Sequence, residues 1–237
     1  MSELWNSLCI EAFADPGGVR EQEILYSQGK SNDPGWGAYD QGVEVYSGAL
    51  RRVLGEISLQ HFITSYCHNH GLDNCSVIDY MGTGVVRNLE HTQGVSVSLG
   101  HPPWASGNYI DGNIFFQDSW NLSKQWLHQA YTEGNISAPF FDISLSRPLL
   151  GSSRMRIHPE PYAMLLRRAY RVMHPERGIL ISQIFLPKNM YGEFFETWKM
   201  QLEKAHIELI YSPFQLRIDR HPGSPYNLPF PSPDVTK

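Results

Sequence analysis

The sequence predicts an α/β domain in which a mostly parallel, seven-stranded sheet carries helices on both faces. Short β-branched and apolar segments alternate with amphipathic helical segments between residues 75 and 205. Such alternation is typical of parallel strands joined by crossover helices, which cover both faces of the sheet. The chain has 237 residues, of which 41% are hydrophobic. It is therefore long and apolar enough for one large domain with a substantial core.

The N-terminal part of the chain predicts a helical cap that precedes the sheet. Asn32-Asp33-Pro34-Gly35 is a strong turn signal within a stretch rich in Gly, Pro and polar residues. Apolar residues then recur at spacings of three and four from about Gly42 to Asn69, which is the pattern of one buried helix face. Gly55 is a candidate break between two helices.

Seven segments predict the strands of the sheet. Each is short, rich in β-branched or aromatic residues, and bounded by turn residues. We expect the last two to pair as an antiparallel hairpin at the sheet edge, after five parallel strands. The predicted strands are Cys75–Asp79, Val95–Leu99, Asn113–Gln117, Pro139–Leu145, Gly178–Ile184, His206–Tyr211 and Phe214–Ile218.

The segments between the strands predict the helices. We expect a lid and cap over residues 1–70, a core over 71–220 and a Pro-rich, irregular tail over 221–237. Ligands of such a sheet bind beyond the carboxyl ends of the strands, where the strand order reverses. The loops after the first four strands are therefore the predicted location of the site. The predicted helices are Val85–His91, Trp120–Tyr131, Glu160–Met173 and Tyr191–Ala205.

Charge and composition argue against several classes of protein. The net charge of −5 gives no basic stripe for nucleic acid. No apolar run reaches the roughly 18–20 residues that span a bilayer, and the first residues do not resemble a secretory signal. Three cysteines are too few for a disulfide framework and fit a reducing compartment. We expect a cytoplasmic protein with a small-molecule partner and no nucleic acid or membrane partner, and leave the oligomeric state open.

Four segments follow one another in an order that resembles a known family. The segment from Val77 to Gly84 is an apolar strand that ends in an acid and a Gly-rich turn. Asn113–Trp120 carries an acid after an apolar run, and Phe140–Leu145 is an apolar strand with an early Asp. Tyr162–Ser182 is a helix, a Pro- and Gly-containing turn and a strand. Together they resemble the class I, Rossmann-like S-adenosylmethionine-dependent methyltransferases.

The resemblance implies S-adenosylmethionine as cofactor and methyl transfer to a small-molecule acceptor as reaction. A Gly-rich turn lets the backbone approach the cofactor closely, and the helix N-terminus that follows offers free N–H groups to its carboxylate. The chemistry itself needs mainly in-line alignment, because the sulfonium is already activated. The resemblance identifies no catalytic base and no metal ligand. The residues implied to bind the cofactor are Tyr39, Asp79, Tyr80, Met81, Gly82, Thr83, Gly84, Leu99, His101, Asp118, Ser119, Trp120 and Ser144.

Two features depart from the family's pattern. Gly82 and Gly84 stand one residue earlier than the usual glycines of the first motif. The second strand, Val95–Leu99, lacks the terminal acid that usually binds both ribose hydroxyls, and Ser98 and His101 cannot grip them in the same bidentate way. Each lost hydrogen bond costs about 0.5–1.5 kcal/mol of affinity. A catalytically inactive binding or regulatory protein with this fold is therefore the alternative hypothesis.

Two further patterns bear on function. Cys67-His68-Asn69-His70, followed by Cys75, gathers zinc-type ligands but lacks the usual Cys-x2-Cys pair, so we interpret it as buried cysteines with surface histidines. Trp36 and Tyr39 precede the cap helices and are candidates for a lid.

Overall fold

Strand β1 (Cys75–Tyr80) lies in the interior of the sheet in the computed structural model. All six of its residues are buried, because side chains of both orientations pack beneath helices. This explains the continuous apolar segment in the sequence, which is typical of a strand covered on both faces. The structure describes residues 43–80, 85–98, 109–111, 117–146, 160–183 and 191–229.

The elements follow one another as alternating helices and strands. The helices are α1 (Val43–Leu50), α2 (Leu59–His70), α3 (Gln117–Thr132), α4 (Glu160–Arg171) and α5 (Tyr191–Lys204), with a 3₁₀ helix at Val85–Asn88. The strands after β1 are β2 (Thr92–Ser98), β3 (Tyr109–Asp111), β4 (Ile143–Ser146), β5 (Ile179–Gln183), β6 (Ile207–Ser212) and β7 (Gln215–Arg220).

The seven strands form one sheet in the order β3-β2-β1-β4-β5-β7-β6. The pairs among β3, β2, β1, β4 and β5 are parallel, whereas β7 is antiparallel to both β5 and β6. The chain moves from β1 outward to β2 and β3, and then returns to β4 on the other side of β1. The strand order therefore reverses between β1 and β4, at the position where open α/β sheets bind their ligands.

Two hydrophobic clusters cover the two faces of the sheet. Residues of α1 and α2 pack with Val77, which points to one face of β1. Residues of α3, α4 and α5 pack with Ile78, which points to the other. The predicted α/β class, with helices on both faces, is therefore confirmed. Within the described part of the chain, no helix is both long and apolar enough to cross a bilayer.

The predicted cap is two helices with a turn between them. Gly55 has a φ of 77° in this turn, so the predicted break is confirmed. The Ser58 side chain then accepts a hydrogen bond from the His61 backbone N–H and caps the N-terminus of α2. Gly71, with a left-handed φ of 63°, ends α2.

The third strand was predicted at the wrong position. The structure places β3 at Tyr109–Asp111, while Gln117, the last residue of the predicted strand, begins α3. A short apolar run does not distinguish a strand from the approach to a helix, because the periodicity of so few residues fits both. The fourth strand also starts later than predicted, at Ile143, and Phe141 forms only an isolated bridge with Met173.

Residues 221–229 contain no helix or strand, yet they are fastened to the core. The Tyr170 hydroxyl donates to the Pro225 carbonyl oxygen at 3.0 Å, and the Trp198 indole N–H donates to that of Pro229 at 2.7 Å. Leu228 is buried in the same cluster as α4 and α5. This part of the chain therefore covers the α4–α5 face without regular secondary structure.

Candidate functional site

The carboxyl ends of β1, β2 and β4 meet at one edge of the sheet, which we call the carboxyl edge. Asp79 pairs in register with Ser96 of β2 and Leu145 of β4. Tyr80, the last residue of β1, lies beside Val97 and Ser146. The last residues of β1 therefore lie where the strand order reverses.

Asp79 is fully buried and is held by a tyrosine from the cap. The Tyr46 hydroxyl of α1 lies 2.9 Å from Oδ1 and 3.0 Å from Oδ2 of Asp79. Both side chains have an exposed fraction of 0%. Tyr46 shares the buried face of α1 with Leu50. The packing of this face on the sheet therefore also places the Tyr46 hydroxyl beside the Asp79 carboxylate. A buried carboxylate needs such a donor, because removing it from water is otherwise costly.

The opposite face of the same edge carries neutral hydroxyl groups. Ser144 lies beside Ile78, and Ser146 lies beside Tyr80 of β1 and Ser182 of β5. The Ser144 and Ser146 hydroxyls are buried and have no hydrogen-bond partner among the described residues. Burial also raises the pKa of the Tyr80 phenol, so this group stays neutral. Polar groups without partners in a core cost free energy, and a ligand is one way to satisfy them.

For three of the predicted cofactor-binding residues, the structure describes both the backbone and the side chain. Asp79 and Tyr80 are the last two residues of β1. Ser144 of β4 lies beside Ile78, the residue before Asp79, and is therefore further from the carboxyl edge. Asp118, Ser119 and Trp120 lie in the first turn of α3, so the helix predicted to begin at Trp120 begins earlier and includes Asp118 and Ser119, which were predicted to precede it. The other predicted residues lie outside the described ranges: Tyr39, Met81, Gly82, Thr83, Gly84, Leu99 and His101. The lid candidate Trp36 does so as well.

Tyr46 and Gln215 were not identified from the sequence. The Gln215 side-chain oxygen, at the start of β7, accepts from the Arg52 and Val53 backbone N–H groups and fastens the turn after α1. A tyrosine on an otherwise aliphatic buried face was the available signal for Tyr46, since a buried phenol usually finds a partner. The partner itself is a long-range contact that no local pattern specifies.

Asp142, the acid in the segment resembling the family's fourth strand, lies at the opposite end of the sheet. Its Oδ2 accepts from both the backbone N–H and the hydroxyl of Ser76, each at 2.9 Å. Its Oδ1 accepts from Arg177 Nε at 2.9 Å and from the Tyr66 hydroxyl at 3.3 Å. Asp142 therefore joins the amino ends of β1 and β4, and we call this end of the sheet the amino edge.

The candidate zinc ligands are separated by burial. Cys67 and Cys75 are buried, whereas His68 and His70 are exposed. Cys67 Sγ lies 3.6 Å from the His91 carbonyl oxygen. In the described ranges, no three His, Cys, Asp or Glu side chains come together in a way that could hold a metal ion.

Comparison with known proteins gives only distant likenesses. The chain matches no protein-family model and no curated protein. It is similar to a candidate methyltransferase from Streptococcus mutans solved in complex with SAH, at 11% identity and a TM-score of 0.35, over 62% of this chain and 89% of that one. It is also similar to monomeric WbdD, at 12% identity and a TM-score of 0.36, over 71% of this chain and 42% of that one. These values are too low for either likeness to indicate a function.

Proposed function

We propose that this protein is an S-adenosylmethionine-dependent methyltransferase with a Rossmann-like core, acting on a small-molecule acceptor in the cytoplasm. The observation that carries the proposal is Asp79, a buried carboxylate at the end of β1 where the strand order reverses. An acid at the end of the first strand, followed by a Gly-rich turn, resembles the first motif of the family, although Gly82 and Gly84 stand one residue earlier than its usual glycines. The position of Asp79 in the sheet therefore supports the resemblance at this motif.

In this proposal the carboxyl edge binds the cofactor and aligns it. The turn that begins after Tyr80 approaches the amino acid part of the cofactor, and Asp118 accepts from the adenine amino group. Asp79, fixed by Tyr46, stabilises the end of β1, from which this turn begins. The cofactor supplies an activated methyl group when it is bound, so the protein contributes mainly proximity and orientation.

Calorimetric titration with S-adenosylhomocysteine tests cofactor binding. We expect saturable binding with one ligand per chain, and weaker binding by Asp118→Ala because the adenine loses an acceptor. Replacing a hydrogen-bonding carboxylate at a ligand should reduce affinity about tenfold. Absence of binding at millimolar ligand would exclude the proposed cofactor.

The alternative, a binding or regulatory protein that has lost the reaction, is supported by the missing acid at the end of β2. Ser96 and Ser98 stand in the last half of that strand, where the family pattern has a carboxylate at its end. The two hypotheses differ in turnover and not in binding. Formation of S-adenosylhomocysteine from S-adenosylmethionine in the presence of an acceptor mixture would eliminate the inactive alternative.

A further inference from the structure

A cleft opens at the amino edge, away from the proposed cofactor site. Its volume is about 210 Å³. One wall is the C-terminal half of α2, including Tyr66, Asn69 and His70, and the floor is Ile179 at the start of β5. The remaining wall includes Arg177 from the turn before β5. None of these residues belongs to the carboxyl edge.

Arg177 presents unused hydrogen-bond donors to this cleft. Its Nε donates to Asp142 at 2.9 Å, and the Tyr66 hydroxyl lies beside the guanidinium. A guanidinium has five N–H donors, so these two groups leave at least three without a protein acceptor in the described ranges. The side chain is 21% exposed and lines the cleft, so it is accessible to a ligand there.

Two ion pairs lie at the cleft. Arg177 is paired with Asp142, and Arg217 is paired with Asp219 through two nitrogens. Arg220 also lines the cleft, but its guanidinium donates to the Tyr170 carbonyl oxygen and lies over the Tyr170 ring, so its charge faces α4. Anion binding in the cleft therefore depends on Arg177.

One acid opposes an anion in this cleft. Glu176 is exposed at the rim, next to Arg177, and its carboxylate has no partner among the described residues. Its charge should lower the affinity for an anion without blocking the donors.

We propose that the amino-edge cleft is a second ligand site that binds a small oxyanion, the phosphate or carboxylate group of a metabolite. Arg177 holds two oxygens of the anion through its free N–H groups, in the planar geometry that guanidinium groups favour. Asn69 and His70 supply further hydrogen-bonding groups from the opposite wall. The site is independent of the proposed function, because it uses no residue of the carboxyl edge.

Titration with inorganic phosphate, followed by ¹H–¹⁵N NMR at constant ionic strength, tests the site. We expect saturable shifts at the amides of residues 69–71 and 176–178. A parallel titration with acetate distinguishes a phosphate site from one that accepts carboxylates. Shifts that stay linear with concentration for both anions, or that spread over the whole surface, would overturn the proposal.

Two variants with opposite expected effects complete the test. Arg177→Lys keeps the charge but loses the planar donor geometry, so it should weaken anion binding about tenfold. Glu176→Gln removes the opposing charge from an exposed position, so it should tighten binding about twofold to threefold. Thermal melts without ligand establish that both variants fold. Unchanged affinity in Glu176→Gln, together with unchanged affinity in a folded Arg177→Lys, would contradict the proposed site.

Discussion

Two buried tyrosines connect the cap helices to carboxylates at opposite edges of the same sheet. Tyr46 of α1 donates to Asp79 at the carboxyl edge, and Tyr66 of α2 donates to Asp142 at the amino edge. Both pairs are almost completely buried. The two hydroxyls therefore stabilise the fold in similar ways, but only one is placed to affect the proposed cofactor site.

Tyr46→Phe and Tyr66→Phe form a matched pair of variants. Each removes a donor from a buried carboxylate, so each should lower the free energy of unfolding by about 1–3 kcal/mol. Tyr46→Phe should also weaken S-adenosylhomocysteine binding about fivefold, because Asp79 loses the group that orients it. Urea unfolding and calorimetry measure the two effects separately. Equal affinities in the two variants would contradict the role assigned to Tyr46.

His174 gives the fold a predictable response to acid. The Glu176 backbone N–H donates to His174 Nδ1 at 3.2 Å, which requires an unprotonated nitrogen. Burial, followed by the charge of Arg177, holds the pKa of His174 below its ordinary value of 6.5. The unfolded chain therefore binds this proton more readily than the folded one, so stability is lost as the pH falls through 6.5 toward the folded pKa.

We expect the free energy of unfolding to decrease between about pH 7.5 and about pH 5.5, and His174→Gln to flatten this dependence. Part of the slope should remain, because burial also lowers the pKa of His70. Urea titrations at several pH values measure the slope. An identical slope in the variant would show that His174 does not contribute to it.

Among the elements, the 3₁₀ helix after β1 depends on a glycine. A Cβ at Gly94 of β2 would lie 1.9 Å from Val86 Cγ1 and 2.8 Å from the Val77 carbonyl oxygen. Only glycine therefore allows the 3₁₀ helix to pack this closely against β2. The contact therefore holds the 3₁₀ helix against β2.

Gly94→Ala should lower the free energy of unfolding by about 1–3 kcal/mol, because the added methyl group overpacks the contact. Gly48→Ala is the matched control. No atom of the described residues lies within 4 Å of a Cβ at this position in α1, so alanine should stabilise the helix by about 0.5–1 kcal/mol. Denaturant melts of both variants measure the effects. A loss of stability in Gly48→Ala as large as that in Gly94→Ala would refute the packing argument.

An element could be predicted well where its sequence pattern depends only on residues that are neighbours in the chain. The periodicity over 42–69 and the turn residue Gly55 predicted α1, α2 and the break between them. The aromatic run before α3 predicted a strand where Gln117 instead begins a helix, because its few residues fit both structures. The order of the last two strands could not be predicted from the sequence either: β7 lies between β5 and β6, so of these two strands only β6 is at an edge of the sheet.

For the whole molecule, the sheet separates a proposed cofactor site from a proposed anion site. The strand that ends near Asp79 was predicted correctly, because a short, continuously buried strand is a local feature. Asp142 belonged to a motif of the same family resemblance, yet it joins the amino ends of β1 and β4. Its position follows from strand register, which depends on contacts between distant segments and cannot be derived from the motif alone.

The central claim is that an S-adenosylmethionine-type ligand binds at the carboxyl edge. Hydrogen–deuterium exchange with and without saturating S-adenosylhomocysteine tests this location directly. We predict slower exchange in peptides that cover residues 79–88 and 95–98, at the ends of β1 and β2, and unchanged exchange over residues 69–76 and 174–179 at the amino edge. Protection confined to the amino edge, or no protection at a ligand concentration that saturates the calorimetric signal, would contradict the account.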